Sequence, residues 1–349
     1  MFRPSTKNEW WLCGTLFVQA VITIALEIYI LTEWQLWVTP TIIQVPVSYI
    51  VPVGLGILTF ACVYEFILAL EAIHHKNNIL LLAICVSNVC SAVYAGILYS
   101  SMHDNVSRLY RDRHGYPTLV DPTYNAWPRI QPAEIAVPIV MGLCTLVLWP
   151  CAYYLHRQYS WAIYKCVNGS RETRIRYLAY EIYLVLLKLD FYFLIAFIIQ
   201  YNLIDVHFEE PESSLTWALI PAALIVMILS IYSVRRERIW FMIPIIICYI
   251  GLIAYLLSRI VILNGHTFRA NTTGKGLMML FAIVALVLTT GALIVSVICM
   301  LNFNRGLKMV NNQKSYVARE SYFTLGERSH SPSTSDIHKE RRPSPLAWE

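Results

Sequence analysis

Two charged residues, Lys188 and Asp190, stand near the middle of an apolar run from Tyr180 to Gln200. The run is long enough to cross a bilayer, which takes about 20 apolar residues. A charge at the centre of such a helix costs roughly 2.5–3.5 kcal/mol on the insertion scale. Lys188 has the length to reach back toward a headgroup, whereas Asp190 is too short. Residues two apart on a helix point about 200° away from each other, so the pair cannot neutralise itself face to face. Each therefore needs a partner on a different neighbouring helix, or a wet cavity, and the helix carrying them is expected to be packed on at least two sides. Such charges either fix helix register or form a polar site for an ion, a proton or a small ligand. The sequence leaves both readings open.

Three more charged residues fall inside the other apolar spans: Glu27, Glu65 and Arg259. Matching them by depth permits a Glu27–Arg259 pair and a Glu65–Lys188 pair, with Asp190 left over. Lys188, Asp190, Glu65, Glu27 and Arg259 are accordingly the candidate intramembrane polar site. Soluble catalytic chemistry has little support. No HExxH, GxSxG, Walker A or GxGxxG element stands in a supporting context. Every histidine lies in a loop, in the tail or at a span end, as His156 does. The nine cysteines include no CxxC pair, and eight of them lie in apolar spans, so neither zinc nor any other cofactor is expected. A catalytic role is not expected.

The elements that position these residues follow from composition. Of 349 residues, 57% are hydrophobic and 14% charged, with a mean hydropathy of +0.53. A soluble chain carries about 25% charged residues. The expected fold is all-α, a polytopic transmembrane helical bundle of about eight spans. They lie near 10–31, 49–70, 79–100, 135–154, 178–201, 215–232, 239–263 and 277–301, making a bundle over 1–303. The polar, Ser-, Arg- and Pro-rich stretch 304–349 is expected to be a disordered tail. No internal repeat is evident. The lipid bilayer is the partner that the composition requires. No basic run interleaved with aromatics suggests nucleic-acid binding.

An even number of spans puts both ends on one side. Outside the spans, and short of the tail beyond residue 314, fourteen Lys and Arg fall on the N-terminal side and six on the other. The positive-inside rule then places both termini in the cytosol. Two sequons, at Asn105 and Asn271, fall on the lumenal side and are the glycosylation candidates. A third at Asn168 falls on the cytosolic side. In the tail, Tyr322 and Leu325 form a tyrosine-based pattern of the kind that sorting adaptors bind. Ser331 and Ser344, each before a proline, are phosphorylation candidates.

The run Leu187-Lys188-Leu189-Asp190-Phe191-Tyr192-Phe193, followed by Ala196, Phe197 and Gln200, resembles one span of an uncharacterised family of fungal Golgi-apparatus membrane proteins. The resemblance is specific over roughly twenty residues. It implies a multi-pass membrane protein resident in the Golgi apparatus and carries no activity with it. Two roles remain in view. One is structural, sorting or scaffolding. The other is transport of an ion or small solute through a site around Lys188 and Asp190.

Overall fold

The structure, a computed structural model, describes residues 6–38, 46–109, 120, 124, 126–166, 171–205, 212–265 and 274–303. The expected tail, 304–349, lies outside the described residues, as do Asn271, Tyr322, Leu325, Ser331 and Ser344. Among the described residues, eight helices are long and apolar enough to cross a membrane: α1 (Lys7–Trp37), α2 (Pro46–His75), α3 (Asn78–Leu109), α4 (Trp127–Cys166), α5 (Arg171–Gln200), α6 (Glu212–Arg236), α7 (Ile239–Asn264) and α8 (Lys275–Leu301). A single π-helical turn, Tyr201–Asp205, extends α5. The all-α, eight-span expectation holds.

Most helices outrun the apolar stretch that marks them, because hydropathy finds the part in lipid while backbone hydrogen bonding continues beyond it. Local chemistry sets the ends. At the start of α1, Thr6 Oγ1 accepts from the Glu9 amide at 3.3 Å, and Glu9 Oε2 accepts from the Thr6 amide at 3.2 Å. This reciprocal arrangement satisfies two donors that a helix start leaves open. Between α2 and α3, Lys76 adopts φ +48° and Asn77 caps the next helix, its Oδ1 accepting from the Ile79 and Leu80 amides. Pro132, Pro138 and Pro150 all sit within α4. Transmembrane helices tolerate such breaks where neighbours re-satisfy the freed carbonyls.

The helices pack as two rings of four. In the N-terminal ring α1 touches α2 and α4, and α3 touches α2 and α4. In the C-terminal ring α5 touches α6 and α8, and α7 touches α6 and α8. Helix α5 also packs on α2 and α3. It therefore joins the rings and is the most buried of the eight spans, as its two internal charges require. By contrast α6 and α7 leave broad apolar faces outward, including Leu215, Ile225, Trp240 and Ile247. In a membrane protein such faces are the surface that lipid wets.

Candidate functional site

The charged run in α5 works as a stitch between the two rings, with successive side chains directed to alternate partners. Lys188 Nζ donates to Glu71 Oε1 on α2. A helical side chain leans toward the N-terminus of its own helix, and here that lean carries the ammonium toward the end of α2. The Tyr64 hydroxyl on α2 donates to the Lys188 carbonyl at 2.8 Å. Asp190 turns the other way, and Thr289 on α8 donates to its Oδ1 at 2.8 Å. Tyr192 stacks on Tyr64 with ring centres 5.8 Å apart, while Phe193 meets Phe281 of α8 at 6.0 Å.

The pairings expected from depth do not form. Glu65 is held by α3, where Ser87 Oγ, Asn88 Nδ2 and Ser91 Oγ donate to its carboxylate at 2.9, 2.9 and 2.8 Å. Thr145 of α4 in turn donates to Asn88 Oδ1 at 2.6 Å. Arg259 pairs with Glu212 at the start of α6 rather than with Glu27. Its Nη1 also donates to the Tyr201 hydroxyl at 2.8 Å, and its guanidinium lies 5.1 Å from the ring centres of both Tyr201 and Tyr255. The π-helical turn after α5 is what carries Tyr201 into that clasp. Thus the five candidate residues do not form one site. Lys188, Asp190, Glu65 and Arg259 each have a protein partner, and they lie at four separate helix junctions.

Glu27 differs from the other four. Its Oε2 is buried and has no hydrogen-bond partner. It lies within electrostatic range of Glu134 on α4, whose Oε2 is likewise buried and unpartnered. Each glutamate is 3% exposed. Tyr94 of α3 stands within electrostatic range of Glu27 and beside Gln200 of α5, whose Oε1 has no partner. One and two turns back along α1 stand Thr23 and Gln19, both beside Cys62 of α2, and Gln19 Oε1 is unpartnered too. The positions 19, 23 and 27 recur every fourth residue, so they share one face of α1.

These groups belong to a longer seam between the antiparallel α1 and α4. At the N-terminal end of α1, the Tyr159 hydroxyl donates to Glu9 Oε1 at 2.9 Å. Further along, Thr23 Oγ1 reaches Met141 Sδ at 3.7 Å. Beyond Glu27 and Glu134, the far end is closed by Glu33, which accepts from Tyr124 and lies 4.0 Å from Arg129. That hydrogen bond pushes the Tyr124 phenol above its ordinary pKa. Polar side chains therefore run the length of the seam, with the Glu65 network beside it. Among the described residues no group of three or more His, Cys, Asp or Glu side chains is placed to hold a metal ion.

Asn105 departs from the loop position expected of a glycosylation acceptor. It lies within α3, its side chain is 2% exposed, and its amide nitrogen is unpartnered. A buried helical asparagine does not present its amide to a transferase, which acts on exposed chain.

Eight apolar helices closed around a charged junction define a polytopic helical membrane protein. A UPF0658 Golgi apparatus membrane protein of Schizosaccharomyces pombe is 27% identical over 277 residues, covering 74% of this chain and 77% of that protein. The resemblance carried by the fifth span is borne out by this likeness, and the eight apolar helices fit a multi-pass membrane protein. No family model matches the chain, and no solved structure matches it.

Proposed function

We propose that the protein binds and moves a small solute through its N-terminal ring, with both termini in the cytosol. The carrying observation is the polar seam between α1 and α4, which runs from Glu9 and Tyr159 at one end to Glu33 and Arg129 at the other. Polar groups within membrane spans are costly to bury and mark substrate or ion pathways. The solute path lies along this seam rather than around Lys188 and Asp190, because both of those already have partners. The cytosolic placement of the ends rests on the fourteen-to-six division of Lys and Arg. Tags at either end should be digested by protease in intact microsomes.

A structural or scaffolding role is the second reading, and the α5 stitch favours it. Charges with fixed partners on α2 and α8 set helix register and need no solute. In that reading the tail pattern at Tyr322 and Leu325 recruits sorting adaptors. Uptake into proteoliposomes separates the two readings. The full-length protein is reconstituted and offered a panel of labelled nucleotide sugars, amino acids and polyamines, with empty liposomes as the blank. Transport predicts uptake of at least one class, abolished by Thr23→Leu on the seam and retained by Asp190→Asn. Liposomes no better than the blank across the panel would remove the transport reading and leave the scaffold.

A further inference from the structure

We infer that Glu27 and Glu134, with the side-chain oxygens of Gln200 and Tyr94, form a binding site for a small inorganic cation inside the N-terminal ring. The inference deepens the transport reading and names a ligand for the same seam.

The argument is one of unmet acceptors. Glu27 Oε2, Glu134 Oε2, Gln200 Oε1 and Gln19 Oε1 all lack hydrogen-bond partners. All four residues are at least nine-tenths buried, at 3%, 3%, 2% and 1% exposure. Every one of these atoms is an oxygen that can only accept while its carboxylate is ionised or its amide is neutral. What the cluster lacks is therefore a donor or a positive charge. The membrane-crossing parts of the ring supply no Lys or Arg charge of their own. Residues 8–75, 77–107 and 130–156, which make up the membrane-crossing parts of α1 to α4, contain neither Lys nor Arg. Arg129, the nearest cation along α4, is more than half exposed and lies beside Glu33 at the seam's end. A buried carboxylate is compensated by a partner, by a bound ion or by taking up a proton, and a cation that displaces the proton is the compensation inferred here. Two carboxylates within electrostatic range of each other, on α1 and α4, strengthen that requirement.

The donor set fixes the kind of ion. Carboxylate, amide and phenol oxygens are hard ligands, and hard ligands suit alkali and alkaline-earth ions rather than soft or transition metals. No thiolate or imidazole is assigned to the cluster. Gln200 also ties the site to the rest of the fold. It closes the aromatic run of α5, so an ion bound here touches the helix that joins the two rings. Tyr94 bridges in the same way, since its hydroxyl donates to the Gly54 carbonyl of α2 at 3.3 Å.

The test uses the full-length protein in detergent, stripped with chelator and melted in choline chloride. The choline is then replaced by NaCl or KCl, or supplemented with MgCl2 or CaCl2 at matched ionic strength. One of these ions should raise the melting midpoint by several degrees in a saturable manner. The shift should vanish in Glu27→Gln and Glu134→Gln and persist in Asp190→Asn. Without the ion, Glu27→Gln should melt no lower than the parent, because it removes an uncompensated charge. Should either Gln variant fail to fold, Glu27→Asp serves instead. It keeps the charge but draws it back by one methylene, and should move the half-saturating concentration upward by at least tenfold. The inference is overturned if no ion shifts the parent beyond choline, or if the shift survives in the Glu27→Gln/Glu134→Gln double variant. A cation shift without solute uptake would keep this site and remove the transport reading. Uptake without any cation shift would do the reverse.

Discussion

Two buried carboxylate regions in the same ring have been given opposite treatment. Glu65 sits against α3, whose Ser87, Asn88 and Ser91 supply three donors at hydrogen-bond distance. Glu27 sits on the neighbouring seam, within electrostatic range of another acid, with an oxygen that nothing donates to. The first arrangement is what a carboxylate needs to be held in place, since each donor compensates part of its lost hydration. The second leaves that cost unmet by the protein. On the proposed reading, the number of donors around each buried acid separates two purposes: satisfied acids fix helices, and unsatisfied ones take a ligand.

Alanine at both positions provides the severest test of this difference. Glu65→Ala would strand three buried donors, each costing about 1–3 kcal/mol. It should produce the largest loss of melting temperature of any single change discussed. Glu27→Ala loses packing but no hydrogen bond at Oε2, so in choline it should cost distinctly less. Equal losses at the two sites would show that Glu27 has a structural partner, and the distinction between the regions would collapse.

Lys188→Met comes next in size. It would leave Glu71 without its ammonium at the junction of the two rings. Breaking a buried pair by removing one partner costs about 3–5 kcal/mol. Glu71 is about a third exposed, at 32%, and its hydration reduces that loss. The Lys188→Met/Glu71→Gln double variant should recover much of the melting temperature. The Lys188→Met/Glu65→Gln double should not, because Glu65 answers to α3. Recovery through Glu65 would reinstate the depth-matched pairing against the geometry.

A smaller effect is expected at Asn105. Its burial in α3 predicts that the protein migrates identically with and without glycosidase treatment when Asn271 has been changed to Gln. A glycan remaining in that variant would show that the far end of α3 opens in the cell.

The span count, the packing of α5 on at least two sides and the costly residues within the spans were legible in the sequence, because each follows from hydropathy along one helix. Their partners were not. Glu71, Glu134 and Glu212 all fall just outside the expected spans, which ended at 70 and began at 135 and 215. Boundaries drawn by hydropathy stop at the first charge, so they exclude the acids that cap the buried length of a helix. Depth matching then had only the remaining charges to choose from, and joined Glu65 to Lys188 and Glu27 to Arg259. The uncharged partners, Ser87, Asn88, Ser91 and Thr289, carry no signal of their own in an apolar span. The spacing of Gln19, Thr23 and Glu27 was the one available clue to the seam, since three polar residues on one face of a membrane helix must meet something other than lipid.

Asp190 stands between the two regions and gives the finest test of them. It has one donor, Thr289, where Glu65 has three. Asparagine keeps an oxygen in place to accept that bond and keeps the side-chain shape. Asp190→Asn should therefore shift stability by no more than about 1 kcal/mol, the net worth of an ordinary hydrogen bond. Thr289→Val should cost more, because it leaves the carboxylate of Asp190 with no donor from α8. The ordering Thr289→Val below Asp190→Asn, with both far above Glu65→Ala in melting temperature, is what counting donors requires. Suppose instead that Asp190→Asn melts like the parent yet abolishes uptake in proteoliposomes. The charge on α5 would then belong to the solute's path, and the seam between α1 and α4 would have to extend across the junction between the rings.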